Sequence, residues 1–229
     1  MPRPLRPIEE GLIYDVINRG NNRQRVFRKP ADFDAFLQAL GDLKERKPFE
    51  LYGYCLLSNH FHLLIRPLPG TTISRIMQSL LISHTERYHK HHRSSGHVWQ
   101  GRFKSPVIQN DEHLLTVLRY IEANPLRANL VQRAEDYRWS SYLAHGQGEP
   151  NEWLDRLVPF EQLSPYVAVR QRKWSEKVHD PLPENTLASI RRSNTTGLPY
   201  GNPAWVERLA EKLDLDLTIR PRGRPRKPN

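Results

Sequence analysis

Two histidines separated by a single residue, His60 and His62, are the side chains whose spacing most directly predicts chemistry. They belong to the run Tyr-Gly-Tyr-Cys-Leu-Leu-Ser-Asn-His-Phe-His-Leu-Leu-Ile, which is typical of buried β-structure. Because side chains alternate between the two faces of a strand, both imidazoles project from one face and Phe61 projects from the other. Two imidazoles held side by side on a sheet form half of a metal site. The triplet alone leaves open that both histidines are satisfied by backbone carbonyls.

Tyr120 and Asn124 are the candidate partners of this pair. The segment Asn110-Asp111-Glu112 is a good helix start, and the apolar residues that follow it recur at helical spacing. Pro125 disfavours the helical conformation of Asn124, so the helix should end about there. A helix packed on the sheet could hold Tyr120 and the Asn124 amide over the two histidines. An interfacial tyrosine followed by a helix-ending asparagine would show the same spacing, and this alternative stays open.

Five sequence blocks, taken in order, resemble the REP-associated tyrosine transposases, a branch of the HUH (His-hydrophobic-His) single-strand DNA endonucleases. The blocks are Asn18-Arg19-Gly20-Asn21, Asn59-His60-Phe61-His62-Leu63-Leu64, Trp99-Gln100-Gly101-Arg102-Phe103-Lys104, Arg119-Tyr120-Ile121-Glu122-Ala123-Asn124-Pro125-Leu126-Arg127-Ala128 and Trp139-Ser140-Ser141-Tyr142. The resemblance implies that Tyr120 is a nucleophile and that His60, His62 and Asn124 bind a divalent metal.

These residue types suit the cleavage of a phosphodiester. Two imidazoles and an amide oxygen can hold a hard cation such as Mg²⁺ or Mn²⁺ and leave positions for phosphate oxygens. Tyr120 would attack phosphorus, release a 3′-hydroxyl and keep the 5′ end as a phosphotyrosine, a reversible step because one ester replaces another. A free phenol has a pKa of about 10, so a base should assist. The sequence does not name that base, and His113 is one candidate.

Rival readings of the histidines lead to other functions. Zn²⁺ often binds histidine-rich sites, and a second group of histidines consists of His84, His89, His91, His92 and His97. Charged and small polar residues dilute this group, so we interpret it as a solvated helix end and loop. Two alternative functions remain: a zinc hydrolase with no covalent step, and a domesticated, non-catalytic DNA-binding regulator of repeat sequences. A purely binding role would not require Tyr120 together with all three metal-binding candidates.

The charge of the chain indicates a nucleic-acid partner. Thirty-five Lys and Arg against 25 Asp and Glu give a formal net charge of +10. The segment Pro221-Arg222-Gly223-Arg224-Pro225 resembles the core of an AT-hook, whose arginines Arg222 and Arg224 would enter the narrow minor groove of A·T-rich duplex DNA. A generic basic tail that binds any polyanion is the alternative.

Two internal segments are candidates for contacts with single-stranded or hairpin DNA. One interleaves aromatic, amide and basic side chains that could stack on bases and contact phosphates: Trp99, Gln100, Arg102 and Lys104. Core packing of Trp99 and Phe103 is the alternative. In the other segment Arg19 and Asn21 could read base edges, although such polar clusters are first of all turns. The resemblance adds short hairpin-forming repeats as the expected target.

The elements that must position these groups can be read from hydrophobic periodicity. Strands are predicted over 11–19, 49–57, 60–66 and 102–109, and helices over 31–46, over 72–90 and around Tyr120. This order predicts an α+β protein with a ferredoxin-like (split βαβ) antiparallel sheet and helices on it, the fold that the resemblance also implies. We predict four units: a catalytic domain over 1–145, a wrapping or linker segment over 146–182, a small helical accessory element over 183–217 and a disordered basic tail over 218–229.

Cysteine content and hydropathy limit where the protein works. The single cysteine, Cys55, excludes an internal disulfide and suits a reducing cytoplasm. No apolar run resembles a signal peptide or a membrane span. We therefore expect a cytoplasmic, nucleoid-associated protein with no membrane partner. The sequence does not decide the oligomeric state, and a monomer is the working expectation.

Overall fold

An antiparallel sheet organises the part of the chain that the computed structural model describes, residues 10–215. Its strands are β1 (Ile13–Arg19), β2 (Phe49–Leu57), β3 (His60–Pro67) and β4 (Val107–Ile108), placed side by side in the order β2-β3-β1-β4. Helix α1 (Pro30–Arg46) connects β1 to β2, α2 (Ile73–His92) connects β3 to β4, and α3 (Glu112–Glu122) follows β4. The predicted α+β architecture with a split βαβ order is confirmed.

Helices α1 and α2 cover one face of the sheet and form a first core cluster with it. The large apolar residues of α1 recur at helical spacing and are buried: Phe33, Phe36, Leu37, Leu40 and Leu43. Phe61 of β3 lies beneath this helix, with its ring centroid 5.1 Å from that of Phe36. The Thr72 side chain accepts a hydrogen bond from the backbone N–H of Arg75 and so caps α2 at its start. The positions of both helices agree with the predicted spans.

Helix α3 packs on the opposite face and forms a second core cluster there. It begins at Glu112 and is capped by Asp111, whose side chain accepts a hydrogen bond from the backbone N–H of His113 at 2.8 Å. The close approach of this helix to β2 depends on Gly53. A Cβ atom at that position would lie 2.3 Å from Cδ1 of Leu118, so a larger residue would require the Leu118 side chain to move.

The fourth strand is much shorter than the predicted span of 102–109. Only Val107 and Ile108 form a ladder with β1, and Lys104 adds an isolated bridge to Ile17. Between them lies Pro106, which has no N–H to donate, although its carbonyl accepts from the N–H of Asp15 at 3.1 Å. The proline therefore interrupts the ladder, which the alternation of apolar residues alone did not reveal.

The C-terminal half consists of short helices that pack against these elements. They are α4 (Asn124–Arg127), α5 (Tyr142–Gln147), α6 (Val158–Glu161), α7 (Val167–His179), α8 (Glu184–Thr196) and α9 (Pro203–Lys212). Side chains from α6, α7 and α8, among them Trp174 and Ile190, belong to the second core cluster. The predicted boundary at residue 145 stays a prediction, but α6, α7 and α8, which follow it, share a core with α3, and Leu209 of α9 belongs to the first core cluster.

Two further observations concern the ends of the chain and the membrane. The predicted AT-hook-like tail, with Arg222 and Arg224, lies outside the described residues. No helix within residues 10–215 combines the length and the apolar character needed to cross a bilayer.

Candidate active site

His60 and His62 lie on the face of the sheet that α3 covers. In the ladder between β3 and β1, His60 is paired with Arg19 and His62 with Ile17. The two imidazole centroids are 5.7 Å apart. Phe61 belongs to the first core cluster, on the opposite face. The alternation predicted for the triplet is therefore the one that the structure shows.

A hydrogen-bond acceptor orients each imidazole through its Nδ1 atom. The Nδ1 of His62 lies 3.0 Å from Oδ1 of Asp15, a fully buried carboxylate on β1. The Nδ1 of His60 lies 2.6 Å from Oδ1 of Asn59. With Nδ1 donating to these oxygens, a neutral imidazole presents the lone pair of Nε2, which is the arrangement seen around metal-binding histidines.

Sequence reasoning missed Asp15, although a signal for it was present. Asp15 stands within the apolar strand segment Ile-Tyr-Asp-Val-Ile, and in the sheet it shares a face with His62. A carboxylate in a buried strand position needs a partner, because leaving it unpaired is expensive.

Burial and nearby cations keep His60 neutral. Burial lowers the pKa of His60 to about 3, and His62, Arg19 and Arg127 add to this effect. A neutral imidazole is the form that binds a metal ion. Arg19 and Arg127 create a positive environment in which a phosphate would be stabilised.

Tyr120 comes to the histidines from the last turns of α3. Its ring is buried, with a centroid 5.7 Å from that of His62. The guanidinium carbon of Arg127 lies 4.0 Å from the centroid of the Tyr120 ring, and Nη2 of Arg127 donates to the Tyr120 carbonyl at 2.7 Å. Arg127 returns over Tyr120 because the chain begins a new turn at Asn124, with Pro125 at its start. Sequence reasoning did not single out Arg127.

Asn124 has a buried side-chain amide that is not fully hydrogen-bonded. The residue is buried, and its Nδ2 atom has no hydrogen-bond partner within residues 10–215. In the same part of the chain, no three His, Cys, Asp or Glu side chains converge on one point. A cation beside the histidines would therefore need a ligand of another type. An amide oxygen with two Nε2 atoms fits a hard divalent cation, so the residues present are compatible with Mg²⁺ or Mn²⁺.

The two segments predicted to contact DNA lie side by side. Gly20 forms a bridge with Trp99, and the backbone N–H of Gln100 donates to the carbonyl of Arg19 at 2.8 Å. Arg19, Gln100 and Arg102 are exposed, whereas Asn21 and Lys104 are half-buried.

The aromatic residues of this region pack inward. Phe103 is buried, and the Trp99 ring lies 5.4 Å from the ring of Phe61 and 5.0 Å from that of His84. This packing was the alternative to base stacking. A stacking role for Trp99 stays a prediction.

Three of the other histidines have partners away from His60 and His62. His113 lies at the opposite end of α3 from Tyr120, where its Nδ1 is 2.7 Å from Oδ1 of Asp111 and its ring contacts Tyr200. Nε2 of His92 is 3.2 Å from Oδ2 of Asp32, and the rings of Phe27 and Phe36 pack against His84. His113 is therefore not placed to take a proton from Tyr120 in this structure.

Comparisons with known proteins agree with the motifs. A family model described as "Transposase IS200 like" matches residues 9–124, which is about half of the chain and ends at Asn124. A Haemophilus influenzae protein assigned as a REP-associated tyrosine transposase is 28% identical over 132 residues, which cover 52% of this chain and 74% of that protein. A solved structure of a REP-associated tyrosine transposase bound to a REP hairpin superposes with a TM-score of 0.53 at 20% identity, covering 69% of this chain and 94% of that one. The resemblance drawn from the five blocks is confirmed.

Proposed function

Because the chain belongs to the IS200-like transposase family, we propose that it cuts and rejoins single-stranded DNA through a covalent bond between Tyr120 and a 5′ phosphate. The observation that supports this most directly is the position of the Tyr120 ring, 5.7 Å from the ring of His62. The structural neighbour is a transposase bound to a REP hairpin. We extend that substrate class to this chain and propose hairpin-forming repeats with single-stranded flanks as its target.

The proposed metal site consists of His60, His62 and Asn124. Mg²⁺ or Mn²⁺ bound there would neutralise the charge that develops on the scissile phosphate. Asp15 and Asn59 fix the orientation of the two imidazoles through Nδ1. Because these contacts are made in the free protein, the ligands need little reorganisation when DNA binds.

The bond changes balance without a further reactant. The Tyr120 Oη–phosphorus bond forms while the bond between phosphorus and the 3′ oxygen breaks. The phenol loses its proton to solvent or to a hydroxide, and the released 3′ oxygen gains a proton. Rejoining is the reverse reaction, in which a 3′-hydroxyl displaces Tyr120.

Two arginines are placed to stabilise negative charge, one on the Tyr120 phenolate and the other on the DNA backbone. Arg127 lies against the Tyr120 ring and favours the phenolate as it forms. Arg19, the exposed cross-strand neighbour of His60, is placed to contact the DNA backbone. We propose that Gln100 and Arg102, next to Arg19, extend this surface along the strand.

The test is a denaturing gel with a hairpin oligonucleotide labelled at its 3′ end, in the presence of Mn²⁺. The strand downstream of the cut stays on the protein, so the label should migrate with the chain. The adduct should vanish with chelator and in Tyr120→Phe. Tyr166→Phe is the matched control, because Tyr166 is 72% exposed at the start of α7.

Other outcomes would favour the rival functions. Cleavage that persists in Tyr120→Phe, and that requires Zn²⁺, would indicate a hydrolase with no covalent step. Tight hairpin binding without any adduct, across a panel of hairpins and metals, would indicate a non-catalytic DNA-binding regulator.

A further inference from the structure

Glu122 is a completely buried carboxylate at the last position of α3, between Tyr120 and Asn124 in the sequence. The proposed chemistry assigns it no role. Burying a carboxylate costs free energy unless several hydrogen-bond donors satisfy it. Side chains around Glu122 must therefore supply donors that compensate for this cost.

Three side chains provide that compensation. Oε1 of Glu122 accepts from Oγ of Ser141 at 2.5 Å and lies 2.6 Å from Nδ1 of His145. Oε2 accepts from Nε1 of Trp174 at 2.7 Å. The carboxylate is therefore held at both oxygens, which fixes its rotation as well as its position.

The three donors come from different parts of the fold. Ser141 is attached to the edge of the sheet, where its Oγ accepts from the N–H of Tyr54 at 3.0 Å and its N–H donates to the carbonyl of Tyr54 at 2.9 Å. His145 lies on α5. Trp174 lies on α7, is fully buried, and packs edge-on against Phe160. Glu122 thus connects the end of α3 to strand β2 and to two C-terminal helices.

The end of α3 is a place where such a connection matters. The last turn of a helix lacks part of its hydrogen-bond ladder and frays easily. Here the chain leaves the helix at Ala123 and starts a new turn at Asn124. Any fraying at Glu122 would move Tyr120 and Asn124 relative to the histidines, which are held rigidly on β3.

We propose that Glu122 is a positioning residue, which locks the end of α3 so that Tyr120 and Asn124 keep their places beside His60 and His62. This inference rests on the proposed function of that site. It also gives the C-terminal helices a role in the reaction, because Trp174 donates one of the hydrogen bonds that hold Glu122.

The experiment compares Glu122→Gln and Trp174→Phe with Trp139→Phe in the full-length chain. Trp139 is a matched control, because its Nε1 also donates a hydrogen bond to a carboxylate. The acceptor is Oδ1 of Asp34, an exposed residue of α1, at 3.1 Å. Each variant is assayed below its melting temperature for the rate of adduct formation at saturating DNA, for Mn²⁺ affinity by calorimetry, and for hairpin affinity.

Glu122→Gln and Trp174→Phe should each lower the rate and the Mn²⁺ affinity by about 10-fold or more, the range found when supports of metal ligands are removed. Hairpin affinity should change by no more than about twofold in the same variants, because Arg19 and Arg102, the arginines proposed to contact DNA, are unchanged. The double variant should lose little more than the stronger single variant, as expected of two groups in one network. Trp139→Phe should behave as the wild type.

A purely structural role would give another pattern. In that case Glu122→Gln and Trp174→Phe would melt earlier but keep the wild-type rate and Mn²⁺ affinity while folded, which would overturn the proposal. The Mn²⁺ titration also separates this inference from the proposed function. If the wild type forms no adduct, a loss of Mn²⁺ affinity in Glu122→Gln still supports the positioning role, and an unchanged affinity contradicts it.

Discussion

The face of the sheet covered by α1 and α2 is built around apolar strand residues such as Val16, Leu63 and Ile65, whereas the face covered by α3 buries Asp15 and His62 among its apolar residues. Both faces are equally closed to solvent at their centres. The same two strands, β1 and β3, supply both sets, because successive residues of a strand alternate between the faces.

The difference leads us to expect that one face of the sheet mainly provides stability and the other provides the proposed chemistry. Asp15 and Glu122, which are buried on the α3 face, have defined partners in His62 and Trp174, whereas Nδ2 of Asn124 has none within residues 10–215. The first core cluster needs few such partners, since it gains its stability from apolar burial. Substitutions on the α3 face should therefore change the reaction more than the fold, and substitutions on the other face should do the reverse.

The largest expected effect is that of His60→Ala on the α3 face. Removing one of the two imidazoles proposed as metal ligands should lower the rate of adduct formation by at least about 1,000-fold, because a bound cation contributes several kcal/mol to such reactions. The fold should persist, since the side-chain partner of His60 is its neighbour Asn59. The measurement combines the gel assay with a thermal melt.

His91→Ala is the matched control for this substitution, because His91 is exposed near the end of α2. The assignment of the metal site would be wrong if His60→Ala kept more than a tenth of the wild-type rate.

His84, which packs against Phe27 and Phe36 of the first core cluster, should instead make the free energy of unfolding depend on pH. Burial lowers the pKa of His84 to about 4, whereas an unfolded histidine titrates near pH 6.5. Between these values the unfolded chain binds a proton that the folded chain does not. The free energy of unfolding should therefore fall as the pH drops from about 6.5 to 4, by on the order of 3 kcal/mol from this residue.

The variant His84→Leu should lack this share of the acid destabilisation and should keep its activity at neutral pH. Urea unfolding at several pH values measures the effect. The exposed His91 again gives the control, as His91→Leu should keep the pH dependence of the wild type. Equal pH dependence in His84→Leu and the wild type would contradict the prediction.

Asp15→Asn should have a smaller effect, again on the reaction. Asparagine keeps the shape of the side chain but removes the charge that holds the Nδ1–H of His62. Loss of such a support lowers metal affinity or activity by about 10- to 100-fold. Calorimetry with Mn²⁺ and the adduct rate report the change. Wild-type values for both would mean that Asp15 only satisfies a buried histidine.

The sequence was sufficient for those features that depend on local periodicity. Alternation placed His60 and His62 on one face, and helical spacing together with Pro125 predicted a helix end close to the observed one, with Tyr120 in the last turn of α3 and Asn124 just after it. Asp15 and Glu122 were not assigned, because their roles depend on contacts between distant segments. Arg127 was not assigned, because its position over Tyr120 depends on the turn that begins at Asn124. Trp174 reaches Glu122 from a helix that no pattern in the sequence connects to α3.

The smallest expected effect on the reaction comes from Phe61, the residue between the two histidines. Its ring faces the first core cluster and contacts Phe36 and Trp99. Phe61→Leu should lower the free energy of unfolding by about 1–2 kcal/mol, because it leaves a small void in a closely packed core. The rate of adduct formation by the folded protein should stay within about twofold of the wild type, since a strand transmits little change to its opposite face when the backbone is held on both sides. Denaturant unfolding and the gel assay, made on the same preparation, test both halves of this prediction. A large loss of rate without a loss of stability would show that the two faces are coupled through β3. The expectation that one face mainly affects stability and the other mainly affects the reaction would then be wrong for this strand.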